Sequence, residues 1–255
     1  MPIIKILSIG FLAAFFLIPV ACLKEPAGPS PDNNTVTDID GNVYKTVKIG
    51  NQEWTAENLR TTRYNDSTSI TLDTSTATWA DLPIGKYCYH KNTINLDTIE
   101  KFGALYNWYS IDTKRLAPKG WHVSTKSDWD TLINYLITNG YNWDGTIDSN
   151  KIAKSMAAKT DWRTLDTTPG AIGYVPSKNN KSGFSALPGG SRFSKGVFTG
   201  IGGEAFWFSA TDGVGDPNGG DSTNAFVYYL NSSNEYLYQF YGFKVCGFSV
   251  RLVKD

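Results

Sequence analysis

The chain predicts an α+β domain in which two to three short helices pack on antiparallel sheets joined by long loops. Three observations carry that prediction. Apolar positions at helical spacing are confined to the first two thirds of the chain, aromatic-rich runs of strand length dominate from Ser182 onward, and no regular alternation of strand and helix occurs. At 255 residues, one large domain fits better than two. The 24 basic and 24 acidic residues cancel, which removes the electrostatic case for a nucleic-acid partner.

Residues 1–21 read as a leader: Lys5 is the positive start, and Ile6 to Ile18 form an apolar core too short to span a bilayer comfortably. Ala21 directly precedes Cys22, so the segment resembles a bacterial lipoprotein signal in which the Cys22 thiol is acylated and becomes the mature N-terminus. The implied partner is a membrane, and the implied place is the outer membrane or cell surface. Residues 22–35 carry Pro26, Pro29 and Pro31 and bury nothing, so they form an extended tether. At about 3 Å per residue it spans some 30–40 Å.

The folded domain then covers residues 36–255. Val36 to Ile39, Val43 to Ile49 and Glu53 to Thr55 form a β-meander whose turns are Asp40-Gly41 and Gly50-Asn51. Asp38, Asp40 and Asn42 lack the bidentate Glu of a calcium loop, so a hairpin turn is the better reading. Thr61 to Leu82 is a polar loop, and Lys86 to His90 is a strand. Phe102, Leu105, Tyr106 and Tyr109 have helical spacing and place a helix at Gly103 to Asp112.

The strongest local signal follows. Trp121-His122-Val123 is a short buried extended segment, and Thr125 with Asp128 has capping-box spacing. Trp129, Leu132, Ile133, Leu136 and Ile137 make one apolar stripe, and Asn139-Gly140 ends it. Ile152, Ala153, Met156 and Ala157 suggest a third helix ending near Lys159. Five β segments close the chain: Gly183 to Leu187, Ala205 to Ala210, Phe226 to Leu230, Tyr236 to Tyr241 and Val245 to Val253. Ser232-Ser233-Asn234 and Gly242 are their turns.

An ordered series of motifs resembles a known family, the Fibrobacter succinogenes major paralogous domain, often carried by lipoproteins of Bacteroidetes-type bacteria. It runs through Thr37 to Tyr44, Val47 to Trp54, Glu57-Asn58-Leu59, Phe102 to Trp108, Leu116-Ala117-Pro118, Gly120 to Val123, Gly183 to Gly190 and Gly247 to Arg251. The family usually has Pro where Ser124 stands, Glu where Asp128 stands, and Cys where Leu252 stands. More distantly, the pattern is similar to the C-type lectin-like fold, including its formylglycine-generating-enzyme branch. That resemblance implies pairing between the opening meander and Val245 to Val253. Catalysis in that branch needs two neighbouring cysteines near the C-terminus; Cys246 stands alone, so the activity does not transfer.

Candidate sites are few. Cys88 and Cys246 lie in aromatic-flanked, strand-like segments and are expected to form a disulfide. His90 and His122 are the only histidines, and no metalloprotease, nucleophile-elbow or phosphate-loop pattern occurs. His122, between Trp121 and Val123, reads as a core or hydrogen-bonded histidine. The loop Thr211 to Asp221 brings Asp212, Asp216, Asn218 and Asp221 near one another, oxygen donors that suit Ca²⁺. A solvated hairpin insertion is the competing reading, and no other cofactor is implied. Aromatics are 14% of the chain and are expected mostly in the core. Trp79, Trp143 and Trp207 lie in or beside polar loops and are the candidate ligand-binding rings. The resulting expectation is a lipid-anchored, non-catalytic surface module for carbohydrate or a partner protein. The alternatives are a structural or assembly component of fimbrial type, and a hydrolase.

Overall fold

The computed structural model describes residues 35–165, 167–217 and 220–255. The chain opens with β1 (Thr35–Thr37), β2 (Val43–Ile49) and β3 (Gln52–Thr55), the expected meander. Next come β4 (Thr71–Leu72), β5 (Lys86–Cys88), α1 (Leu96–Phe102), β6 (Leu105–Tyr106) and α2 (Trp108–Asp112). They are followed by β7 (Trp121–Val123), α3 (Lys126–Thr138) and α4 (Ala153–Met156). The last third holds β8 (Ser191–Arg192), β9 (Phe198–Thr199), β10 (Glu204–Asp212), β11 (Asn224–Asn231), β12 (Tyr238–Phe243) and β13 (Leu252–Lys254). The fold is α+β, antiparallel throughout apart from the β4–β5 pair.

The first and last ribbons close on each other. One sheet runs β1-β2-β3-β13-β7, with Val253 opposite both Trp54 and His122. A second sheet, β10-β11-β12, is an antiparallel meander turned by Ser232 to Asn234. Its β10–β11 pair is buried on both faces. Phe206, Phe208, Ala225 and Val227 face one apolar cluster; Ala205, Trp207, Tyr228 and Leu230 face the other. That explains why Phe206-Trp207-Phe208 reads as a continuous apolar run.

α3 forms as its sequence demands. The Thr125 hydroxyl accepts the Asp128 N–H, the Asp128 carboxylate accepts the Thr125 N–H, and Gly140 closes the helix at φ +72°. Trp129, Leu132 and Leu136 are buried, with Ile133 and Ile137 beside them. Rings do fill the core: Trp129 stacks on Tyr228 at 4.3 Å between centroids, and Trp54 meets Trp129 edge-on at 5.1 Å.

Four expectations change. Gly103 to Asp112 is not one helix. Gly103, at φ +75°, stops α1 where a Cβ would stand 2.6 Å from the Asn58 Cβ, and the Asn107 side chain starts α2 afresh by accepting the Ser110 N–H. The third helix is only Ala153–Met156, because Ala157 turns extended and bridges Ala186. Gly183 to Leu187 forms no strand: Ser185 sits at φ +56°, and the Phe184 and Ser185 carbonyls accept from Arg251 instead. Gly242 lies inside β12, opposite Ala225, where a Cβ would come 2.6 Å from a Val227 methyl; close packing, not a turn, requires it.

Only Leu252–Lys254 of the expected last strand joins a ladder. The residues before it thread between the sheets, bridging Gly247 to Arg192, Phe248 to Tyr106 and Ser249 to Trp207. Arg251, 1% exposed, ends this thread. Its Nε donates to Asn58 Oδ1 at 2.8 Å and its Nη1 to the Thr55 and Phe184 carbonyls at 2.6 and 3.1 Å. Asn58 Oδ1 also accepts the Trp207 indole N–H at 2.9 Å, and its Nδ2 donates to the Phe102 carbonyl.

Asn58→Ala leaves the Arg251 and Trp207 donors unpaired in the interior. It is expected to cost about 3 kcal/mol of unfolding free energy. Urea titration measures this, and a loss below about 1 kcal/mol would show that the node is dispensable.

Candidate functional site

The loop after α3 builds a polar recess that also holds an exposed ring. Asn142 is buried and organises it. Its Nδ2 donates to the Thr146 and Asp148 carbonyls at 2.9 and 2.8 Å, and its Oδ1 accepts the Lys151 N–H at 2.9 Å. With its neighbour held inside, Trp143 turns outward and is 41% exposed. Its indole N–H donates to Glu235, and Gly170 lies against it: a Cβ there would stand 2.2 Å from Trp143 Nε1. The nitrogen edge of the ring is therefore held, by the Glu235 carboxylate and by close packing against Gly170.

Trp143 forms one wall of a cleft of about 570 Å³, with Lys154, Tyr174, Lys178 and Lys181 around the rest. Lys154, on α4, is only 7% exposed. Its Nζ donates to the Ala171 carbonyl at 3.2 Å and to the Tyr174 carbonyl. Burial, with repulsion from Lys178 added, pushes its ammonium down to about 8. Lys181 donates to the Gly140 carbonyl and lies 5.5 Å from the Tyr141 ring centre. Among the described residues none of these three lysines meets a carboxylate, while Asp144, on the same cleft, is held by Lys151 at 2.6 Å.

The other expected site residues land elsewhere. Trp79 and Trp207 are both 0% exposed and are not platforms for a ligand. Trp79 lies under the Arg192 guanidinium, 4.2 Å from its ring centre, and Trp207 belongs to the Trp129–Phe184 nest. Polar neighbours in sequence misled, because the polar groups fold over these rings. Cys88 and Cys246 do not form the expected disulfide; both are free and buried. Cys88 packs with Trp79 and Leu105, and Cys246 sits in the larger cluster with Phe248. Burial pushes the two thiols up to about 12 and about 11, which leaves them poor nucleophiles.

The acidic loop does not converge on a cation. Asp212 pairs with Lys244 at 2.8 Å, and Asp216 bonds the Tyr241 hydroxyl. Asp221 accepts from Thr223 and Asn224. Among the described residues no group of three or more His, Cys, Asp or Glu side chains is placed to hold a metal. Asn218 and Cys22 lie outside the described residues.

Two further recesses are occupied by structural pairs. Asp40 and Glu100 line one of about 490 Å³. Partial burial opposes ionisation of Asp40, but hydrogen bonds from Thr62 and Arg63 outweigh it and hold the carboxyl below its usual range. His122 lines the other, of about 380 Å³, with Nε2 at 3.0 Å from Asp128 and Nδ1 at 2.7 Å from Asp255. His122 thus ties β7 to the cap of α3 and to the chain's last residue, as a hydrogen-bonded histidine.

The cleft cations were not foreseen, although one signal was present. Lys154 stands inside Ile152-Ala153-Lys154-Ser155-Met156-Ala157-Ala158, a run otherwise free of charge, where a lysine has no solvent face to occupy.

The fold and the cleft define a class: an α+β domain with termini paired in one sheet and a loop-built cleft of one exposed indole and several lysines. The family model described as Fibrobacter succinogenes major domain matches residues 47–254, from within β2 to the end of β13. The chain belongs to that family, and the cleft lies inside the matched region. No curated protein and no solved structure matches the chain.

The hydrogen bond to Asp128, opposed by partial burial and aided by Asp255, raises His122 to about 8, above its ordinary value of 6.5. A raised folded-state value stabilises fully below the unfolded value and is lost as pH climbs through the folded one. The wild type should therefore lose its stability advantage over His122→Gln between about pH 6.5 and pH 8. Urea midpoints of both proteins across this range test it; a constant gap would contradict it.

Proposed function

We propose that this protein is a non-catalytic binding module, anchored by a lipid on Cys22 at the outer membrane or cell surface, whose cleft beside Trp143 takes a carbohydrate. The observation that carries the reading is the Trp143 ring, exposed yet held along its nitrogen edge by Glu235 and Gly170. A pre-positioned ring face gives apolar contact to the C–H face of a sugar at small entropic cost, and the lysines and the Tyr174 side of the cleft supply polar partners.

A C-type lectin-like scaffold is in keeping with the β3–β13 pairing, which brings the two ends of the domain into one sheet. The non-catalytic reading is supported by the cleft's chemistry. Glycoside hydrolysis uses two opposed carboxylates, and Asp144, on this cleft, is held by Lys151. For the anchor, the sequence at Ala21-Cys22 is the support. Among the described residues no helix is long and apolar enough to cross a membrane.

A second reading, an assembly component, has its own observation. β12 is the outer strand of its sheet, and Tyr238, Phe240 and Phe243 are exposed along it, with Tyr236 exposed just before it. Such an edge is a template for a neighbouring strand.

A glycan array probed with the purified full chain tests the first reading. Trp143→Ala should weaken any hit by about 10-fold or more, and an array without hits would sink it. Light scattering tests the second: oligomers growing with concentration are expected if β12 lends its edge, and a strict monomer at the highest concentrations would dismiss it.

A further inference from the structure

We propose that the ligand of the Trp143 cleft is an acidic sugar, its carboxylate or sulfate group neutralising Lys154. The inference rests on the carbohydrate reading above and narrows it to a substrate class.

The argument begins with an unbalanced charge. An ammonium has three N–H donors, and Lys154 directs two of them to the Ala171 and Tyr174 carbonyls. One remains, on a side chain that lines the cleft. Among the described residues no carboxylate lies within ion-pair distance of Lys154, although it is more than nine-tenths buried. Other buried lysines of this chain are matched: Lys86 has Asp73 at 3.0 Å, and Lys244 has Asp212 at 2.8 Å. Taking a charge out of water without a partner is costly, and buried cations are ordinarily paired. Lys154 breaks that rule, and breaks it in a cleft.

The surroundings deepen the imbalance. Lys178 lies close enough to Lys154 to repel it, and Lys181 lines the same recess. Of the acids at this cleft, Asp144 is engaged by Lys151 and Glu235 by the Trp143 indole. Three lysines therefore line this recess without meeting a carboxylate among the described residues, an excess of positive charge at that end that an incoming anion would balance. The ring beside them decides what kind of anion. Trp143 presents an immobilised apolar face at the cleft wall, the surface a pyranose covers when an acid group on its rim reaches a cation. A bare inorganic anion would leave that face unused.

The test is a set of affinities measured by calorimetry on the full chain. The probes are an oligogalacturonate, the same oligomer with its carboxyls reduced to alcohols, a sulfated galactan and polyglutamate. Oligogalacturonate or sulfated galactan should bind about 30-fold more tightly than the reduced oligomer, and the stronger of the two identifies the acid group. Lys154→Met should erase that preference, while Trp143→Ala weakens acidic and neutral oligomers alike. Lys178→Glu, a surface change that leaves α4 untouched, should also erase it; circular dichroism confirms that each variant is folded. Equal binding of the acidic and reduced oligomers overturns the acid preference and leaves the carbohydrate reading standing. Absence of binding to every oligosaccharide overturns both. Polyglutamate binding as tightly as either acidic sugar overturns the sugar in favour of an acidic peptide.

Discussion

A guanidinium without a carboxylate holds this domain together. Arg251 is buried at the end of the thread that runs from Gly247, over the Phe184 ring, and among the described residues its hydrogen bonds go to neutral oxygens: Asn58 Oδ1 and the carbonyls of Thr55, Phe184 and Ser185. Burial lowers its affinity for the proton, but a guanidinium stays charged, so the cost of desolvation must be met by hydrogen bonds alone. The acceptors come from two distant parts of the chain. Thr55 ends β3, Asn58 begins the loop that Gly103 crosses, and Phe184 and Ser185 belong to the irregular segment before β8. The charge is thus a geometric constraint. Three stretches, residues 55–58, 184–185 and the thread itself, must arrive together, or the cation is left stranded.

Asn58 extends the constraint. One amide oxygen serves Arg251 and the indole of Trp207, and the amide nitrogen serves the Phe102 carbonyl and the Ser249 hydroxyl. Trp207 in turn packs with Phe184 and with Trp129, which opens the apolar stripe of α3. The polar node and the aromatic nest therefore form one unit, and neither closes without the other. The motifs that mark the family, Glu57-Asn58-Leu59, Gly183 to Leu187 and Gly247 to Arg251, are the pieces of this node. Their part here is architectural, and the cleft lies apart from them on loops the node supports.

That division puts the cleft on loops outside the node. Asn142 closes a loop, Gly170 clears a space, and Glu235 comes from the β11–β12 turn to hold one indole. The lysines arrive from α4 and from the turn after it. A rigid interior carrying an adaptable loop surface is the usual arrangement of a binding domain.

Local physics was legible in the chain. The capping box of Thr125 and Asp128, the stripe from Trp129 to Ile137 and the Asp40-Gly41 turn involve neighbours within one or two turns of backbone, so the residues themselves determined them. The closing of β13 on β3, expected only from the more distant resemblance to the C-type lectin-like fold, is present. What the tertiary structure alone decided was burial and pairing at long range. Nothing near Trp79 announces the Arg192 guanidinium that covers it, 113 positions on, and nothing near Cys88 or Cys246 reveals that each thiol is enclosed in its own apolar cluster. Gly103 and Asn107 overrode a plausible helical spacing because the Asn58 backbone passes there and the Lys86 N–H needs an acceptor. The Lys154 cleft is the clearest case. A lysine's charge is written in the sequence, but whether water, a carboxylate or nothing at all faces it depends on segments folded in from elsewhere.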